Sequence, residues 1–233
     1  MGHVLKRVVA LAVPCLLLLS GCGVAGTEFN PGVAARVGDE TVTTDEVDDL
    51  AAEFCSAVED QVAASGDKVP LGRYRSGIAA QLAMESAADQ LADRYGVTPS
   101  QGYQTQIGTI KQQGTDLGLT GDDLDVFVDV QSSQPRVIDL LTQIGAIELE
   151  AEGEEEPTVD FQQARGQDEL DAWIKREGLT FDPRYGLQMV DGVPQNKDTD
   201  VTFAAGDIAK GGLPGADTDA SYVASLPASA TCG

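Results

Sequence analysis

The sequence predicts a mainly α-helical domain with a short N-terminal β-hairpin and, late in the chain, a closing helix followed by a short strand. Three observations predict it. Apolar residues recur at three- and four-residue spacing through several long stretches. Aromatic residues make up only 5% of the chain while it holds 26 glycines, a balance suited to closely packed helices rather than a large sheet. The clearest stretch of strand character, Ala34 to Val42, is short and turns at Gly38-Asp39.

The elements follow in order. In residues 1–21, Lys6 and Arg7 precede an apolar run from Val8 to Leu19 that is too short to cross a bilayer comfortably, the pattern of a secretory signal peptide. Leu19-Ser20-Gly21-Cys22 looks like a bacterial lipobox, in which the Cys22 thiol takes a diacylglyceryl group and becomes the new N-terminus. Two or three acyl chains of the palmitate kind hold a protein on a membrane better than the marginal grip of one. The expected location is therefore outside the cytoplasm, lipid-anchored to the cell membrane of a bacterium. Residues 22–33 are small, polar and unpatterned, as suits a tether.

A domain is expected over residues 34–186. Its hairpin leads into a capping box, Thr43 with Glu46, and then a helix striped by Val47, Leu50, Ala51, Phe54, Val58 and Val62. A second helix fits Leu71 to Tyr95, stopped by Gly96, and a third runs from about Pro99 to Gln113. The fourth begins near Gly121-Asp122-Asp123, and Pro135 inside it predicts a kink or a split. Glu148 to Pro157 reads as a mobile acidic linker, because like charges repel and Gly153 and Pro157 discourage a helix. The fifth helix spans about Asp160 to Glu177, with Leu170, Trp173 and Ile174 as its apolar face. Beyond Gly178 the chain supplies one or two short strands, and residues 187–233 read as an irregular tail.

Charge and residue usage exclude several classes of function. The formal net charge is −23, and loss of Lys6 and Arg7 with the leader lowers it by two more. Nucleic acid is no partner for such a surface, since phosphate binding needs a basic footprint. His3 is the sole histidine and departs with the leader, which removes Ser/His and Cys/His nucleophile pairs and His-ligated zinc. The pairs Asp48/Asp49 and Asp122/Asp123 sit at helix beginnings, where the macrodipole favours negative charge, and adjacent residues on a helix do not face one another as paired catalytic carboxylates must. Gly211 to Gly215 lacks the Lys-Ser/Thr of a phosphate loop, and Lys197 and Lys210 stand isolated. The acidic run lacks the Asp/Asn-and-Gly pattern of a calcium loop. No enzyme activity, cofactor or metal is expected.

Two segments, Val37 to Leu50 (VGDETVTTDEVDDL) and Trp173 to Gly186 (WIKREGLTFDPRYG), together resemble the chaperone module of SurA-like and PrsA-like envelope foldases, the SurA N-terminal domain family. The resemblance implies a helical cradle, completed by a helix from later in the chain, that shelters unfolded or folding exported polypeptides. Family members with isomerase activity carry a parvulin domain in the gap here occupied by the acidic linker, so the resemblance implies a chaperone or foldase accessory without prolyl isomerase activity. Met84, Met189 and the aromatic residues could adapt to varied clients or simply pack in a core. An assembly lipoprotein with one dedicated partner and a small-molecule-binding lipoprotein stay open as alternatives.

With Cys15 cleaved off and Cys22 acylated, Cys55 and Cys232 are the thiols left in an oxidising compartment, and a disulfide between them is expected. Two free thiols or an intermolecular bridge are the alternatives. Cys22→Ser should release the protein from membranes or block its maturation. Metabolic lipid labelling with membrane fractionation checks this; indistinguishable behaviour of variant and wild type would refute the anchor.

Overall fold

A computed structural model describes residues 31–197 and 220–233. Residues 1–21, Cys22, most of the expected tether, Lys210 and Gly211 to Gly215 lie outside the described residues. The fold is mainly α-helical with a few short strands, as the sequence predicts. Strands β1 (Val33–Val37) and β2 (Glu40–Thr43) form the expected hairpin, and β1 already includes Val33. The turn glycine Gly38 has φ +56°, and a Cβ there would meet the Gln90 amide oxygen at 2.8 Å and the Trp173 ring at 3.2 Å, so both the backbone conformation and the space require glycine. Helix α1 (Thr44–Ser65) starts on the capping box: the Glu46 amide donates to the Thr43 hydroxyl at 3.1 Å, and the Thr43 amide donates back to the Glu46 carboxylate at 3.4 Å.

After β3 (Val69–Pro70), α2 (Leu71–Tyr95) ends at left-handed Gly96, as expected. Its buried seam consists of Ala79, Ala83, Ala87, Ala88 and Ala92 with Ile78 and Leu91. Alanine lets the hairpin and neighbouring helices approach closely, and the Gln90 side-chain amide then donates to the Val37 carbonyl at 2.9 Å. Helix α3 (Gln101–Asp116) begins on Ser100, whose backbone amide donates to Asp139 at 2.8 Å and whose hydroxyl caps the Tyr103 amide.

Helix α4 (Gly121–Glu152) excludes one of the two alternatives at Pro135, the split, and corrects the extent of the acidic linker. Pro135 does not split it; one helix of 32 residues passes through, and the Gln81 side-chain amide donates to the Val130 carbonyl at 2.7 Å beside the proline. The acidic linker is also shorter than expected, because α4 continues through Glu148 and Glu152 and ends only at left-handed Gly153. Leu149 is buried and anchors that last turn. The Arg165 guanidinium removes the repulsion between the two carboxylates, binding Glu148 at 3.1 Å and Glu152 at 3.0 Å.

Helix α5 (Val159–Glu177) starts on Thr158 and returns along α4. The two backbones touch where glycines face one another. A Cβ on Gly145 would overlap the Gln162 carbonyl oxygen, and one on Gly166 would overlap the Leu141 carbonyl oxygen. The chain then enters β4 (Leu179–Phe181), which pairs antiparallel with β1 and completes a sheet ordered β2-β1-β4. Trp173, fully buried, fills the space beneath this sheet, with the Arg94 guanidinium 5.7 Å from its ring centroid. Asp182 caps a single 3-10 turn, Pro183–Tyr185, whose buried tyrosine offers its carbonyl to the Ser76 hydroxyl at 2.7 Å.

The expectation of an irregular tail over residues 187–233 needs correction. Strands β5 (Leu187–Val190) and β6 (Val193–Asn196) form a hairpin through Asp191-Gly192, both with positive φ, a two-residue turn that matches the strand twist. Helix α6 (Ala220–Ser225) and a 3-10 turn at Ala228–Ala230 precede β7 (Thr231–Cys232), which pairs with β3. Cys232 is bonded to Cys55 of α1, the two Cα atoms 5.6 Å apart. It closes a second apolar cluster with Phe54, Val58, Ile110, Leu119 and Phe127, separate from the main core around Trp173, Leu140, Ile144 and Leu170.

Gly166→Ala tests the α4–α5 contact by the sign of its effect. Helix propensity alone favours alanine by about 1 kcal/mol. Overlap with the Leu141 carbonyl should instead cost more than about 2 kcal/mol in urea unfolding. Gly108→Ala in α3, where a Cβ meets open space, is the control expected to hold or gain stability. A stabilised Gly166→Ala protein would disprove the close crossing.

Candidate functional site: a cleft between α1, α2 and α4

Helices α2 and α4 run side by side, joined by successive contacts from Gln81 to Val130, Glu85 to Ser133 and Asp89 to Arg136. Where α1 comes up beneath them they leave a cleft of about 230 Å³. Its floor is apolar. Phe54 from α1 sits edge-on to Tyr74 with ring centroids 5.7 Å apart and stacks on Phe127 at 6.5 Å, and Ile78 extends the surface. Its walls carry amides, Gln81 from α2 and Gln131 and Gln134 from α4, with Arg73 at one end.

Two residues that disfavour helix lie at this place. Gly77 lines the cleft from within α2, and a Cβ there would meet nothing within 4 Å. Glycine inside a helix costs about 0.5–1 kcal/mol relative to alanine. Pro135 has no amide hydrogen, so the carbonyl of Gln131, itself a cleft residue, loses the i+4 donor that an uninterrupted helix would supply.

One turn beyond Gln81, outside the cleft lining, α2 carries Glu85. Burial raises the Glu85 carboxyl above the ordinary carboxylate range, opposed by the Ser133 hydroxyl, which donates to it at 2.8 Å, and by the Arg136 charge; Asp89 and Asp129 push it up further. Arg136 pairs with Asp89 at 2.8 Å and with Glu85 at 3.4 Å. Two carboxylates therefore share one cation.

A second polar cluster fastens α5 away from the cleft. Arg165 binds Glu148, Glu152 and Glu169, and the Tyr95 hydroxyl donates to Glu148 at 2.6 Å and to Glu169 at 3.3 Å. Burial, then the bond to Glu148, keeps the Tyr95 phenol protonated well above the ordinary tyrosine range. Each member of this cluster bridges two helices, so its chemistry is that of a fastening.

No protein-family model, curated protein or solved structure matches this chain.

Of the residues singled out in the sequence, Cys55 and Cys232 are brought together beside the cleft floor, since Cys55 follows Phe54. Met84 and Met189 pack against the main core, and Lys197 donates its backbone amide to Gly186 at 2.8 Å. Asp48 pairs with Arg75 at 2.7 Å, while Asp122 and Asp123 occupy the first turn of α4. Among the described residues no group of histidine, cysteine, aspartate and glutamate side chains has a metal-binding arrangement, and no helix is long and apolar enough to cross a membrane. Sequence reasoning missed Gly77, Gln81, Gln131 and Gln134. The available signal was the placement of a glycine and a proline inside otherwise strong helices.

The shift at Glu85 gives a pH-dependent test. The folded carboxyl holds its proton more tightly than the unfolded one, so ionisation opposes folding above the raised pKa. Glu85→Gln mimics the protonated form and leaves Asp89 to pair with Arg136. Its melting temperature should exceed that of the wild type at neutral pH, and the difference should vanish as pH falls through the raised pKa and below the ordinary carboxylate value. A variant less stable at neutral pH would mean that the Arg136–Glu85 pair outweighs burial.

Proposed function

We propose that the protein is a lipid-anchored, non-catalytic chaperone or foldase accessory that binds unfolded exported polypeptides outside the cytoplasmic membrane of a bacterium. The cleft between α1, α2 and α4 carries this reading. Its aromatic and aliphatic floor can hold one apolar side chain, and its amide walls can both donate to and accept from a peptide backbone of any sequence. Such a combination selects for polypeptide chemistry in general.

The placement of the two segments that carry the SurA-like resemblance supports the same reading. Val37 to Leu50 and Trp173 to Gly186 lie far apart in the chain, yet β4 pairs with β1 and Trp173 packs under Gly38. A late helix thus completes a unit begun by the N-terminal ones, as the resemblance implies. At the start of α5, Val159 and Phe161 add exposed apolar surface, 64% and 52% accessible.

Aggregation assays on several unrelated denatured clients test the proposal. The mature protein should delay aggregation of most of them near stoichiometric ratios, and a protease-coupled prolyl isomerisation assay should run at its uncatalysed rate. Protection of none of the clients would overturn the proposed function. Protection of a single client would replace it with the dedicated-partner alternative.

A further inference from the structure

The cleft has two unlike halves along α2. Arg73, Gly77 and Gln81 follow one another at one-turn intervals on one face, a run of about 12 Å at 1.5 Å per residue. The apolar floor lies towards the Arg73 end, because Tyr74 and Ile78 adjoin Arg73 and Gly77, and Phe54 meets the Tyr74 ring edge-on at 5.7 Å. The amides lie towards the other end, where the Gln81 side chain donates to the Val130 carbonyl at 2.7 Å and Gln131 and Gln134 complete the α4 wall. Among the described residues that line the cleft, Arg73 alone carries a charge.

This order specifies an occupant whose negative charge and apolar group sit side by side, followed by neutral hydrogen-bonding groups. Within a polypeptide an acidic and an apolar side chain belong to different residues, and neighbouring side chains of an extended chain point to opposite faces. At a C-terminus the carboxylate and the last side chain share one Cα. At about 3.3 Å per residue the run from Arg73 to Gln81 accommodates the last three or four residues of an extended chain. Gly77 leaves room for their backbone, and Pro135 deprives the Gln131 carbonyl of its helical donor, so a peptide N–H can take that place. Arg73 can accept the carboxylate while keeping the interaction it already makes. A guanidinium has five donors and grips a carboxylate through two of them, and Arg136 and Arg165 each serve more than one carboxylate here. Segments with several acidic side chains fit poorly, since a chain of formal charge −23 repels them.

Resting on the proposed function, we propose that this cleft takes the free C-terminus of an extended polypeptide whose last residue is apolar. The terminal carboxylate lies on Arg73, the last side chain sits on Phe54, Tyr74 and Ile78, and the preceding peptide groups run towards Gln81, Gln131 and Gln134. The protein thereby holds unfolded clients by their chain ends.

Short unstructured Gly/Ser peptides ending in Phe, with the terminal carboxylate free or amidated, test this against the full mature protein, with binding read by fluorescence anisotropy. The free acid should bind at least about fivefold tighter than the amide. An amidated peptide with an internal Phe-Glu should bind no tighter than the plain amide. N-acetylphenylalanine has the carboxylate and the ring but no upstream peptide groups, and it should compete at least about tenfold more weakly than the free-acid peptide. Arg73→Gln should remove the preference for acid over amide and leave the affinity for the amide unchanged, a pattern that a general loss of packing does not give. Gly77→Leu should abolish binding, whereas Gly108→Leu, also a helical glycine facing open space, should not. The inference is overturned if acid and amide bind the wild type equally, or if the Phe-Glu peptide or N-acetylphenylalanine matches the free-acid peptide. Survival of the preference in a folded Arg73→Gln protein, or full binding by a folded Gly77→Leu protein, overturns it as well. Aggregation suppression that persists beside any of these results leaves the chaperone function standing and removes only the recognition of chain ends and its site; loss of suppression on every client removes the function itself.

Discussion

Contact between two glycines on facing helices is the constraint on which the rest of this fold depends. Gly145 and Gly166 let α5 lie directly on the α4 backbone, a separation that any side chain at either position would prevent. Because α5 lies so close, its end reaches the start of the chain and β4 can add to β1. A two-stranded hairpin is at best marginally stable in water, so this third strand and the buried Trp173 beneath it make the N-terminal hairpin a fixed part of the domain. Backbone contacts close the same junction: the Gly38 amide donates to the Gly178 carbonyl at 2.9 Å, and the Asp182 amide to that of Ala34 at 2.8 Å.

Electrostatics takes a particular form in a chain with 38 acidic and 15 basic side chains. Cations are scarce, so single arginines serve several carboxylates. Arg165 gathers Glu148, Glu152 and Glu169 across α4 and α5, and Arg136 gathers Asp89 and Glu85 across α2 and α4. Planar guanidinium groups with five donors suit this sharing better than a lysine ammonium would. Each such hub converts repulsion between carboxylates into a joint between helices. Most of the other carboxylates among the described residues are exposed and leave that surface negative.

Much of the framework was legible in the sequence because it follows from local rules. The capping box at Thr43, the stop at Gly96 and the apolar spacing of α1, α2 and α5 depend on residues within a few turns of one another. Cys55 and Cys232 were legible from the cysteine count and an expected oxidising compartment, although their distance in the chain gives no geometric hint. What local rules missed depended on distant partners. Glu148 and Glu152 look like a repelling run until Arg165 arrives from the next helix. The alanine seam of α2 carries a weak hydrophobic signal, yet it sets how closely the hairpin approaches. Asp191-Gly192 is a strong hairpin signal that the surrounding glycines and prolines obscured. The cleft was least legible of all, because its residues come from three helices and several are glutamines, which no periodicity marks.

Stability and the cleft are linked through the second apolar cluster. Gly77 and Pro135 both weaken helices that would otherwise be strong, by about 1 and about 3 kcal/mol relative to alanine in a helix interior. Losses of that size are a large fraction of the net stability of an ordinary domain. They fall on the region floored by Phe54 and Phe127, and it is here that the end of the chain returns. Strand β7 pairs with β3 immediately before α2 begins, and Cys232 bonds to the residue next to Phe54. Closing so long a loop restricts the unfolded chain by about 5 kcal/mol in the chain-entropy model, comparable to what the two helix-weakening residues cost together. The terminal cysteine thus acts where the helices are least favourable, and it fixes the cleft floor while leaving the backbone above it open.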